Sequence, residues 1–93
     1  MVMVQGRDRQ FLWGAQIRAA RALLNWTAAD LATKASLGIN TIRRAEQVDG
    51  KTVLTAANEL AIRRALEDAG VQFIENGEGP GVRLRKPTPK GQL

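Results

Sequence analysis

Residues 27–46, TAADLATKASLGINTIRRAE, constrain this chain more than any other stretch. Small and apolar residues recur at helical spacing, first Leu31, Ala32 and Ala35, then Ile42 and Ala45. Ser36-Leu37-Gly38 interrupts the two sets. The pattern predicts two short helices, from about Ala28 to Ala35 and from about Ile39 to Gln47, joined by a tight turn. Thr27 is placed to cap the first, because its hydroxyl can accept a bond from a free backbone N–H. Trp26, just before it, can pack on Leu31 as a hydrophobic staple. Ala32 permits close approach of the two helices, while Leu37 and Ile42 anchor the turn and the second helix. Leu31, Ala32, Ala35, Leu37, Ile42 and Ala45 together fit a helix-turn-helix better than an arbitrary helical hairpin.

The rest of the chain divides around this stretch. Residues 1–10 read as a flexible, weakly basic arm, and residues 11–70 as the helical domain. From Phe11 to Leu24 the residues Trp13, Ile17, Ala20 and Leu24 repeat at helical spacing, with Arg18 and Arg21 between them. Asn25-Trp26 breaks that helix. A fourth helix is predicted from a cap at Thr55 or a near neighbour to Ala69, with Leu60 or Ala61, Ile62, Ala65, Leu66 and Ala69 as its apolar side and Gly70 where a left-handed residue ends it. After Gly70 the period changes to two: Val71–Ile74 and Val82–Arg85 read as strands, with Val71, Phe73, Val82 and Leu84 on one face. Residues 71–85 are thus a β-hairpin turning through ENGEGPG, and residues 86–93 a disordered tail. An isolated hairpin is marginal in water. Its apolar face must cover the helices, a second subunit, or both.

Composition narrows the function classes. The 93 residues contain neither cysteine nor histidine. Disulfides, Cys-based zinc sites and the commonest general base are therefore excluded, and no cofactor or metal is expected. The carboxylates are scattered and no nucleophile–base set is visible, so an enzyme is not expected. A net charge of +5 and a pI near 10.8 suit a polyanionic partner. No apolar run approaches the ~20 residues of a membrane span, and MVMVQGRDRQ lacks a signal-peptide core. The expected location is the cytoplasm.

The sequence resembles the lambda-repressor-like, or XRE-type, helix-turn-helix family. The resemblance is close over about residues 12–50 and looser over residues 51–69. It is carried by Ile17-x-x-x-Arg21, by Thr27, by Leu31-Ala32 and by Thr41-Ile42-Arg43-Arg44-Ala45-Glu46. The tail ALEDAGVQFIENGEGPGVRLRK looks like one found in short bacterial members of that family. The chain departs from the family at Ser36, where Gly is usual in the turn, and at Ala28, where Gln often contacts phosphate. The fold implied is mainly α, a lambda-repressor-like bundle of about four helices containing a helix-turn-helix, followed by the C-terminal β-hairpin. The resemblance also implies an internal ion pair between Arg21 and Glu46, which makes Glu46 structural rather than catalytic.

What the resemblance implies about partners is double-stranded DNA, met by the third helix in the major groove. Matching the motif puts Ile39, Asn40, Thr41, Arg43, Arg44 and Gln47 on or near the base-reading side. Asn40 suits adenine and Arg44 guanine, each by a bidentate pair, while Ile39 suits a thymine methyl. Thr27, Arg18 and Lys51 are the phosphate candidates, with Arg7 and Arg9 of the arm as further possibilities. Arg83, Arg85 and Lys86 form either a second basic patch or a solvated strand face. A module this small makes a modest interface, and a homodimer would double it. Phe73 and Leu84 are the dimerisation candidates, with packing on the chain's own helices as the alternative. The expected role is a transcriptional regulator. Its rival is an antitoxin-like or adaptor module that uses the same fold to bind a protein partner.

Overall fold

The computed structural model describes residues 11–75 and 78–85. The expected arm and tail, with Arg7, Arg9 and Lys86, lie outside the described residues. Four helices are followed by two antiparallel strands: α1 Gly14–Leu24, α2 Ala28–Ala35, α3 Ile39–Glu46, α4 Ala56–Asp68, β1 Val71–Glu75 and β2 Pro80–Leu84. None of these helices is long and apolar enough to cross a membrane.

The helix ends follow from local chemistry. Thr27 Oγ1 accepts the Asp30 N–H at 3.0 Å, and the Asp30 carboxylate accepts the Thr27 N–H at 2.9 Å. This reciprocal pair starts α2 and satisfies two donors that a helix otherwise leaves orphaned. Thr55 caps α4 in the simpler way, accepting from the Asn58 N–H at 3.1 Å. Asn25 and Ser36, with φ of 62° and 58°, end α1 and α2 in left-handed conformations. At both ends the chain closes a Schellman pair. Trp26 and Asn25 donate to the carbonyls of Arg21 and Ala22, and Leu37 and Ser36 to those of Ala32 and Thr33.

The first helix starts later than its periodicity predicts. Phe11–Trp13 is extended, because these residues pair with the segment after α3. The Thr52 N–H donates to the Leu12 carbonyl at 3.0 Å, Trp13 bridges Lys51, and the Gly14 N–H donates to Gly50 at 2.8 Å. Leu12, now extended, is almost wholly buried.

The core gathers Leu12, Ile17, Ala20, Leu31, Ala32, Ala35, Ile42, Ala45, Ile62, Leu66 and Val71. Each fully buried Leu or Ile contributes roughly 1.5–3 kcal/mol. Of the apolar side expected for α4, Ile62 and Leu66 reach the interior while Leu60 faces solvent. The hairpin pairs Val71 with Leu84, Phe73 with Val82 and Glu75 with Pro80, so β2 begins two residues earlier than the alternation suggested. It packs on α1 and α4 of its own chain. Gln16, buried in α1, donates from Nε2 to the Gly81 carbonyl at 3.0 Å and accepts the Trp13 N–H on Oε1 at 3.0 Å. The Thr52 hydroxyl, also buried, donates to the Glu59 carboxylate and ties the connector to α4.

Candidate nucleic-acid interface

α3 separates its residues by face. Ile42 and Ala45 are fully buried, whereas Asn40, Arg43, Arg44 and Gln47 are exposed. The exposed four stand at i, i+3, i+4 and i+7, which is one side of a helix. Ile39 and Thr41 are half-buried, and Ile39 packs against the core rather than standing free. The group of six expected from the motif therefore splits, with four on the outer surface and two at its margin.

Charge on this face is one-sided. The helix's acid, Glu46, turns inward to Arg21. Arg21 Nε and Nη2 donate to the two carboxylate oxygens at 2.7 and 2.8 Å, and Nη1 donates to the Trp26 carbonyl at 2.9 Å. The hydrogen bonds to Glu46 raise the Arg21 pKa above the ordinary guanidinium range, against the opposing effect of burial. Among the described residues no ion pair is made by Arg43 or Arg44. The outer side of α3 thus presents two guanidinium groups, two amide side chains and no carboxylate.

The other expected contacts are placed differently. Thr27 is exposed at the start of α2, but its cap uses both its own N–H and that of Asp30. The Asp30 carboxylate also stands there, which weakens this helix start as a phosphate cradle. Lys51 is exposed, with its ammonium 4.6 Å from the Phe11 ring centroid. Arg18, with 39% of its side chain exposed, is engaged at the end of α3. It donates to the carbonyls of Glu46 and Val48 and to the Asp49 carboxylate at the end of α3. Phe73 and Leu84 share the apolar face of the hairpin. Phe73 is half-buried against the helices under the Arg63 guanidinium, 4.6 Å from its ring centroid, and Leu84 remains exposed. Part of the face offered to a second subunit is therefore used within the chain.

No model of a known protein family matches this chain, and neither does any curated protein. Neither Gly14, which lies against the backbone at the end of α3, nor Gln16, which ties α1 to the hairpin, is among the residues expected from sequence. Gln16 carried a visible signal, as a polar residue beside Ile17 on the side of α1 that repeats apolar residues.

Proposed function

We propose that the chain binds double-stranded DNA sequence-specifically, with α3 in the major groove, and acts as a transcriptional regulator. In this reading α2 and α3 are the two helices of a helix-turn-helix within a lambda-repressor-like bundle. The observation that carries it is the exposed, acid-free face of α3. A helix with its side chains is about 10–12 Å across, a thickness that the major groove, about 12 Å wide, admits. Arg44 and Asn40 carry the side chains that pair bidentately with guanine and adenine. Arg43 and Lys51 supply charge for phosphate. The Schellman turn before α3 and the Arg21–Glu46 pair at its end tie its backbone to the bundle, so little backbone entropy is lost on binding. A homodimer would set two such helices about one helical turn of DNA apart.

Selection from random duplex DNA, followed by binding at two salt concentrations, tests the reading. It predicts an enriched motif and an affinity that falls steeply with salt. In that motif Arg44→Ala loses about 1–3 kcal/mol and relaxes specificity at one base position. Equal loss on every sequence would make Arg44 a phosphate contact instead. No enriched motif, together with co-purification of a protein partner, would replace the reading with the adaptor one.

A further inference from the structure

α1 offers one stripe to the end of α3. Gly14, Arg18 and Arg21 stand at i, i+4 and i+7, and all three meet α3 or the segment just after it. A Cβ on Gly14 would lie 1.8 Å from the Val48 carbonyl oxygen and 2.7 Å from that of Ala45, so α1 lies directly on this backbone. The Ala15 N–H donates to the Asp49 carbonyl at 3.2 Å. Arg21 holds Glu46 from the side. Between these, Arg18 Nη1 donates to the Glu46 carbonyl at 2.6 Å and the Val48 carbonyl at 3.2 Å. Its Nη2 donates to Asp49 Oδ1 at 2.5 Å.

Gln47 is the residue between the two carbonyls that Arg18 bridges. Its own N–H reaches only the Arg44 carbonyl, at 3.3 Å. The last carbonyls of a helix lack partners within it, and here a guanidinium from another helix supplies them. A cation at that end is also favoured by the helix dipole. The fork geometry matters as much as the charge, because an ammonium is a point donor where a guanidinium is a planar, rigid one.

We propose that Arg18 is a positioning residue for Gln47, and that it sets base selectivity where the end of α3 meets DNA without touching DNA itself. This rests on the DNA-binding reading above. It replaces the phosphate role that the sequence suggested for Arg18.

The experiment compares the full chain with Arg18→Ala, Arg18→Lys, Gln47→Ala and the Arg18→Ala/Gln47→Ala double variant. Amide exchange of Gly14, Ala15 and Gln47, whose N–H groups are bonded onto or within this segment, is measured on the free protein, and binding on the selected site with each base pair changed in turn. Arg18→Ala accelerates exchange at these amides by about tenfold or more, since local opening of the segment that carries the Asp49 and Gly50 acceptors loses one of its restraints. Arg18→Ala and Gln47→Ala lower discrimination at the same base position by roughly fivefold or more, and the double variant loses no more than either. Arg18→Lys keeps the charge but loses the same discrimination. A uniform loss over all sequences, with the salt slope reduced by about one and restored by Arg18→Lys, makes Arg18 a phosphate contact and overturns the proposal. So does unchanged exchange in Arg18→Ala. If the wild-type chain shows no sequence preference, the DNA-binding reading falls and the selectivity role falls with it. The exchange measurement still decides whether Arg18 holds this segment. Asp49→Ala removes one arm of the clamp from an exposed side chain. It gives the same pattern at smaller size if Arg18→Ala is too unstable to assay.

Discussion

Single residues at two places carry backbone demands of opposite kinds. Ser36 holds φ at 58°, a conformation that costs an L-residue about 1–2 kcal/mol relative to glycine's freedom. Ser36→Gly is expected to stabilise the chain by about 1 kcal/mol, less whatever glycine adds to unfolded-state entropy. A higher urea midpoint with unchanged slope would show it. Gly14 has the opposite need, since its space rather than its torsion requires glycine. Gly14→Ala drives a methyl into the Val48 carbonyl. The expected loss is about 3 kcal/mol, or failure to fold. A variant as stable as the parent would mean that α1 and the end of α3 are not packed this closely. The first demand is legible in sequence, because a tight turn between two apolar repeats calls for a left-handed residue at a known place. The second is not, because the carbonyl that excludes a side chain at Gly14 belongs to a segment far along the chain.

At the level of elements, α2 and α3 were readable because caps and periodicity agree over the same residues. Thr27, Ala32, Ile42 and Ala45 each carry a local reason for their position. The start of α1 was not readable, since Phe11–Trp13 has apolar residues that suit a helix and becomes extended only through pairing with residues 50–52. Which face of α3 is exposed followed from sequence, but the marginal place of Ile39 and the engagement of Arg18 with the end of α3 did not. Both depend on how α1 lies against α3. Two predictions belong here. Gly38 caps α3 with extended torsions and no side-chain bond, and a Cβ there meets nothing within 4 Å. Gly38→Ser is therefore expected to add about 0.5–1 kcal/mol, as a hydroxyl reaches the orphaned N–H groups and the unfolded chain loses freedom. Glu46→Ala leaves Arg21, with its side chain about 22% exposed, without its carboxylate. It should cost about 3 kcal/mol and lower the melting temperature markedly. The raised Arg21 pKa fixes the pH sense of that contribution. As far as the guanidinium is concerned, it is fully present below the unfolded value and is lost as pH rises through the higher folded one. From this group the melting temperature gains no slope across neutral pH.

Over the whole molecule, the hairpin belongs to the core rather than hanging from it. Val71 is about as buried as any residue, and Phe73 and Val82 pack against the same cluster. Removing residues 71–93 uncovers that cluster and leaves the Gln16 Nε2 without its acceptor. The expected loss is at least about 3 kcal/mol, read as a much lower thermal midpoint by circular dichroism. A truncated chain that melts like the parent would make the hairpin an appendage free for other use. Self-association is then a separate question, answered by sedimentation of the full chain, with Leu84 as the exposed remainder of the apolar face.

The bond from Gln16 to Gly81 crosses 65 residues of chain. On a ribosome adding about 5–20 residues per second, the first helix therefore waits roughly 3–13 s for the partner of its buried amide to be made. Until then the four helices have one side uncovered, and their final tightening waits for the hairpin. A product released early carries an open apolar flank and a bare amide where the finished molecule has neither. The same long-range closure ties folding speed to loop entropy rather than to helix formation.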